Sequence, residues 1–210
     1  MKQLAPVIVM LATTGCGLMS ARQLDKTDFD FGPPAALAAD TAKASAVAVV
    51  VHDITSPAWM DHSAMYYRLA YRNAANPMPY AQSGWVMSPA ALLTQRLRLS
   101  LTAPADGTIR RTGTNAPPIY ALRAELVEFE QVFDQPGHSR GVLRLRASLE
   151  GEGIWAQRTF TIEKPAPSAD AAGGVTALTE CSDALAARIR EWVAATGSDS
   201  RATQSARNGS

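Results

Sequence analysis

Apolar and polar positions change their period along this chain, and each period names an element. Asp28-Phe29-Asp30-Phe31 alternates charged and apolar residues, which predicts a short half-buried strand. Residues 46 to 51 form a continuous, largely β-branched run, the pattern of a central strand. Met65, Tyr67, Leu69 and Tyr71 then alternate with Tyr66, Arg68 and Ala70, so a further strand should bury one face. Residues 73 to 79 have the composition of a turn, and residues 80 to 87 return as an extended segment. Ser88-Pro89 supplies a helix N-cap followed by the residue best suited to the first helical position. Leu93, Leu97 and Leu101 mark the buried stripe of that helix, with Arg96 and Arg98 to its sides.

After a loop over residues 107 to 118, residues 119 to 133 carry long apolar patterning, and Gln135-Pro136-Gly137-His138 is a turn. Leu143, Leu145, Ala147 and Leu149 face one way along the next strand, with Arg144, Arg146 and Ser148 facing the other. Gly151-Glu152-Gly153 turns the chain into residues 154 to 163, which predicts a β-meander. Leu178, Cys181, Leu185, Ile189 and Trp192 recur at three and four residues, one stripe of a helix over residues 175 to 195. The order is β-β-β-helix-β-β-β-helix. Each helix has one apolar stripe that needs a sheet face, so the expected fold class is α/β: a single mixed β-sheet of about six strands with two main helices packed on it.

The ends read differently. Met1-Lys2 gives a positive start, residues 4 to 12 carry no charge, and Thr13-Thr14-Gly15 ends in small residues before Cys16. That order is the order of a secretory signal. Nine apolar residues at ~1.5 Å each cover under half of a ~30 Å hydrocarbon core, too little for a transmembrane span. Residues 1–15 are therefore expected to be a signal peptide, and residues 16–45 a tether containing the short strand. The main domain should occupy residues 46–196. Residues 197–210 lack periodicity and are rich in Ser, Arg and Gly, which predicts a disordered tail.

Composition adds mostly exclusions. Twenty Lys+Arg against nineteen Asp+Glu leave a net charge of +1, so no bulk attraction to nucleic acid or anionic lipid follows. Two cysteines make neither a disulfide scaffold nor a four-cysteine zinc site. Cys181, on the helix stripe, reads as a small core residue. Catalytic signatures are missing: the chain has no Gly-x-Ser-x-Gly elbow, no His-Glu-x-x-His helix and no phosphate-binding glycine loop. His52, His62 and His138 fall in different segments. No catalytic residue, metal ligand or cofactor is expected.

Several segments together resemble one family. Residues 11 to 16 (LATTGC) resemble a bacterial lipobox, departing from the usual pattern at Thr13. That resemblance implies that residues 1–15 are a lipoprotein signal peptide, that Cys16 carries the acyl chains and that residues 16–45 are a lipid-anchored tether. Asp28-Phe29-Asp30-Phe31-Gly32-Pro33 looks like an opening strand, and Trp59-Met60-Asp61 through Met65-Tyr66-Tyr67-Arg68 like a strand ending in Tyr-Arg. Tyr80, Trp85 and Pro89 match a Tyr-x4-Trp-x3-Pro segment before a helix. Tyr120-Ala121-Leu122 leading to Phe129-Glu130 resembles a long fourth strand, and Trp192 a tryptophan near the end of the closing helix. The chain thereby resembles, over residues 28 to 195, the ABC-type transport auxiliary lipoproteins (PqiC/YmbA-like).

The resemblance implies a non-catalytic subunit working with ABC transporter components and an MCE-domain protein in lipid transport. Gly17, where Asp would retain a lipoprotein in the inner membrane, implies anchoring in the outer membrane on its periplasmic face. Homo-oligomerisation stays open, as does a structural or assembly role unrelated to transport. Tyr80 and Trp85 bring large apolar bodies with polar tips, suited either to packing under the first helix or to docking a partner. Arg144, Arg146 and Arg158 are expected to line one polar sheet face. There they either meet an acidic partner or pair with neighbours such as Glu150 and Glu152.

Overall fold

The computed structural model describes residues 26–34, 48–101, 119–151 and 153–208. The signal peptide, Cys16, most of the tether, the loop at 107 to 118 and Glu152 lie outside the described residues. Among the described residues, one mixed sheet contains seven strands: β1 (Thr27–Phe29), β2 (Ala48–Val51), β3 (Ala64–Leu69), β4 (Pro77–Trp85), β5 (Ile119–Gln135), β6 (His138–Gly151) and β7 (Ile154–Pro165). Among them, too, are three helices: α1 (Ala70–Asn73), α2 (Pro89–Leu101) and α3 (Ala171–Asn208). The strand order is β1-β4-β3-β5-β6-β7, with β2 also pairing β5.

β5 is the hub. Its 17 residues are long enough to take two strands end to end along one edge. Val51 pairs with Leu122 in one parallel ladder and Tyr67 with Gln131 in another. The connector between them drops Met60 into the core, 1% exposed. On its other edge β5 forms the expected meander with β6 and β7, turned by Gly137 and Gly153 in the left-handed region (φ 79° and 74°) that glycine adopts most readily.

Tyr71 was expected on a strand, but the chain leaves β3 at Leu69 and makes the single helical turn α1. Asn73 Oδ1 accepts the Ala75 N–H at 2.9 Å and closes this turn early, so β4 starts at Pro77 rather than at Tyr80. Pro77 and Pro79 are accommodated because β1 pairs only with Ser83 to Trp85, leaving β4 an edge strand at its prolines.

The sheet face bearing Leu122, Leu126, Leu143, Leu145 and Leu149 packs with Leu93 and Leu97 of α2 and with Leu178, Cys181, Leu185 and Ile189 of α3 in one core. α3 comes close to β6 because Gly141 has no side chain: a Cβ there would lie 2.9 Å from the Ala177 backbone carbon. α3 begins at Ala171, where Asp170 Oδ1 accepts the Gly173 N–H at 2.8 Å. Its backbone runs on to Asn208, so the segment expected to be disordered from residue 197 is helical through that point.

Candidate functional site

The four residues expected to meet a partner fall on two faces. Trp85 ends β4 with 1% of its surface exposed, its ring centroid 5.6 Å from those of both Phe31 and Phe129. It ties β1 to the hub strand and has no surface to offer a partner. Tyr80 is half-buried on the helix side, its ring 4.6 Å from Tyr67. Its hydroxyl donates to Gln131 Oε1 at 2.8 Å, and Gln131 Nε2 donates to Ser139 Oγ at 2.8 Å. Burial, reinforced by Tyr67 and Asp170, pushes the Tyr80 hydroxyl up to about 12. Tyr80 therefore acts as a neutral donor that satisfies the fully buried Gln131 amide.

Arg144 and Arg146 lie on the opposite, open face. The β5–β6 register sets Glu128 across from Arg144 and Glu125 across from Arg146, with ion pairs of 3.1 and 3.2 Å. Arg123 meets Glu150 at 3.8 Å, Arg140 meets Glu163 at 3.0 Å and also Asp134, and Arg68 meets Glu130 at 2.7 Å. Glu125 and Glu128 are thus the partners of Arg146 and Arg144, where Glu150 and Glu152 were expected. Arg158 does not join the stripe. Its register with Ala147 turns it to the helix side, over the Phe160 ring at 5.3 Å.

Two features of the open face stand out. Glu130 is 1% exposed, and among the described residues its Oε2 has no hydrogen-bond partner. Burial holds its carboxyl above the ordinary value, opposed by the Arg68 guanidinium beside it. At the far end, Val50, Ala121, Glu150 and Trp155 form one row across four strands. Val50 and Trp155 of that row, and Ile119 next to it, are more than half exposed. An exposed apolar row beside a paired-charge lattice is the composition of a protein contact surface.

Sequence reasoning set Arg96 at the side of its helix, and the structure buries it. At 3% exposure its Nη2 donates to Phe31 O at 2.5 Å and Gly32 O at 3.1 Å, and its Nε lies 3.5 Å from Asp183 of α3. The signal was present, since Arg96 follows Leu92 by four residues and Leu93 by three, which puts it on the buried side.

The three histidines lie apart. His62 Nδ1 accepts the Ala64 N–H at 3.1 Å and its ring packs on Tyr66, while His52 and His138 belong to other strands or strand ends. Among the described residues no group of three His, Cys, Asp or Glu could hold a metal ion. Among them, too, no helix is long and apolar enough to cross a membrane. Two grooves flank α3: one of about 550 Å³ against β1, and one of about 360 Å³ against β7, the latter lined by Arg158, Phe160, Arg188 and Trp192.

The open mixed sheet thus carries both long helices on one face and a charged face opposite. The family model for the ABC-type transport auxiliary lipoprotein component matches residues 29–190, and the chain belongs to that family. The family is an auxiliary component of transport. Solved structures share the fold. A crystal structure of a protein from Xanthomonas campestris, of the DUF330 family, is 18% identical over 72% of this chain and 86% of that chain, with a TM-score of 0.59. A second, of an uncharacterised protein, is 13% identical over 80% of this chain and 99% of that chain, with a TM-score of 0.57. No curated protein sequence matches the chain.

Proposed function

We propose that the chain is a periplasmic lipoprotein subunit of an ABC transport system that moves lipid, held to the outer membrane by acyl chains on Cys16. It acts by contact with an MCE-domain protein. The observation that carries this reading is the family match over residues 29–190. Supporting it, the charged-apolar-small order of residues 1–15 ends at a cysteine. One acyl chain binds reversibly and two or more hold firmly, at ~0.8 kcal/mol per buried methylene. In this reading residues 16–45 tether the domain, and the open face bearing Arg144, Arg146 and the apolar row at Trp155 meets the partner.

Two measurements test the two halves separately. Labelled palmitate should enter the wild-type chain and not Cys16→Ser, and the variant should leave the membrane fraction. Unchanged labelling would sink the anchor. An MCE-domain protein encoded beside this chain should co-purify with it after crosslinking. Crosslinks only to envelope proteins outside any transporter would favour the assembly role instead.

A further inference from the structure

The groove between β1 and α3 pairs two features that recognise extended peptides: a free strand edge and a helix face set against it. β1 ends the sheet, and among the described residues no strand pairs with its outer edge. Phe29 O accepts the Val86 N–H at 2.9 Å, so Phe29 is bonded to β4. Main-chain groups alternate in direction along a strand, which turns those of Asp28 and Asp30 to the free edge. Phe29, Val86 and Val175 give the groove apolar surface, and Thr176 and Thr179 line it from α3.

Its charge has one sign. Asp28, Asp30 and Glu180 line the groove. Lys26 meets Asp28 at 3.1 Å, and Asp30 Oδ1 accepts the Gly32 N–H. Among the described residues, Asp30 and Glu180 have no basic partner. A strand added to β1 would alternate its side chains between the α3 side, where Val175, Thr176 and Thr179 stand with Glu180 at the rim, and the outer side, where Asp28 and Asp30 project.

The geometry points to this groove as a docking site for an extended segment of a partner protein, alternating apolar and basic residues, that joins the sheet as a strand beside β1. The inference goes beyond the transporter role, and its test uses none of the transporter's components. Its failure therefore leaves that role standing.

The probe is a fluorescent peptide of about eight residues alternating Val and Lys, long enough for one strand, titrated into the full chain. Controls are its Val–Glu counterpart and a Val–Lys peptide with alternate backbone amides methylated. The Val–Lys peptide should bind, and amide exchange at Asp28 and Asp30 should slow. Asp30 is exposed on the side the probe's lysines take, and Asp30→Asn keeps the Oδ1 acceptor of the Gly32 N–H, so this variant should weaken binding about threefold and the Val–Glu peptide about tenfold. Methylation should abolish binding, because the strand bonds can no longer form.

Equal binding of the methylated or Val–Glu peptide would overturn the site, as would unchanged affinity in Asp30→Asn. Amides of Asp28 and Asp30 already protected in the free chain would mean that the chain's own residues fill the groove. Self-association lost in Asp30→Asn would assign it to a second copy. Either result defeats the proposal.

Discussion

Arg96 sits between the end of β1, its own helix and Asp183 of α3, and among the described residues one guanidinium nitrogen, Nη1, has no partner. Removing it would strip the Phe31 and Gly32 carbonyls of their donor and loosen β1 from α2. Asp183 is partly exposed, so the charge left behind is partly hydrated. Arg96→Ala should cost about 3 kcal/mol in urea unfolding, at the low end for breaking a buried ion pair. Cys181 makes the opposite kind of test. Its side chain is fully buried between Gly141 O and Ile162 O, and burial pushes the thiol from 9.0 up to about 12. The folded state therefore keeps this proton to higher pH than the unfolded chain. The stability this provides is complete below 9.0 and is lost as pH rises towards about 12. A thiol reagent at about pH 8 should label Cys181 only in denaturant; prompt labelling of the native chain would remove it from the core. The helical stripe made Cys181 legible in the sequence, whereas Arg96 was hidden by its residue type. Arginine is expected outside, and only the position of Leu92 and Leu93 beside it argued otherwise.

α3 divides along its length. Leu178, Cys181, Leu185 and Ile189 are fully buried, and the buried line then passes to Val193 while Trp192 is half-buried against Phe160, 5.7 Å away. Leu185→Ala should cost about 3–4 kcal/mol and Trp192→Ala less, about 2 kcal/mol, because a half-exposed ring leaves a smaller void. Denaturant midpoints of the two variants give the order directly; a larger loss for Trp192 would mean the helix leans further onto β7. The stripe was readable because its period survives for five successive contacts. Residues 198 to 208 show no stripe, yet their backbone continues the helix. Extending an existing helix needs only one more bond per residue, with no new nucleus. β4 was misread at its start for a related reason: two prolines look like a turn until the strand's edge position makes their missing N–H groups harmless.

Across the whole molecule, the open face joins its strands largely by exposed ion pairs, with Arg68–Glu130 buried among them, and the covered face by apolar contact. Exposed pairs contribute roughly 0.2–1 kcal/mol each and weaken with salt. Arg144→Gln with Arg146→Gln should therefore lower stability by about 1 kcal/mol or less, and 1 M salt should shrink even that difference. A loss of several kcal/mol, measured by urea unfolding in both buffers, would make the lattice structural. The meander β5–β6–β7 was legible because its strands are neighbours in sequence, and the alternation at Leu143 to Leu149 fixed which face each side chain takes. The sharing of β5 by β2 and β3 was not, since no local pattern says which strand a distant one will choose. That shared strand also orders events in time. Synthesis delivers β1 to β4 and α2 first, with the hub strand that β2 and β3 both need beginning only at Ile119. The N-terminal half must therefore wait, its apolar stripes uncovered, until the meander emerges and offers an edge. Such long-range pairing slows folding, and a ribosome or translocation pore that releases the chain from its N-terminus makes the delay unavoidable. A holding chaperone for this chain would find its sites on Ala48–Leu101 and have no need of the meander.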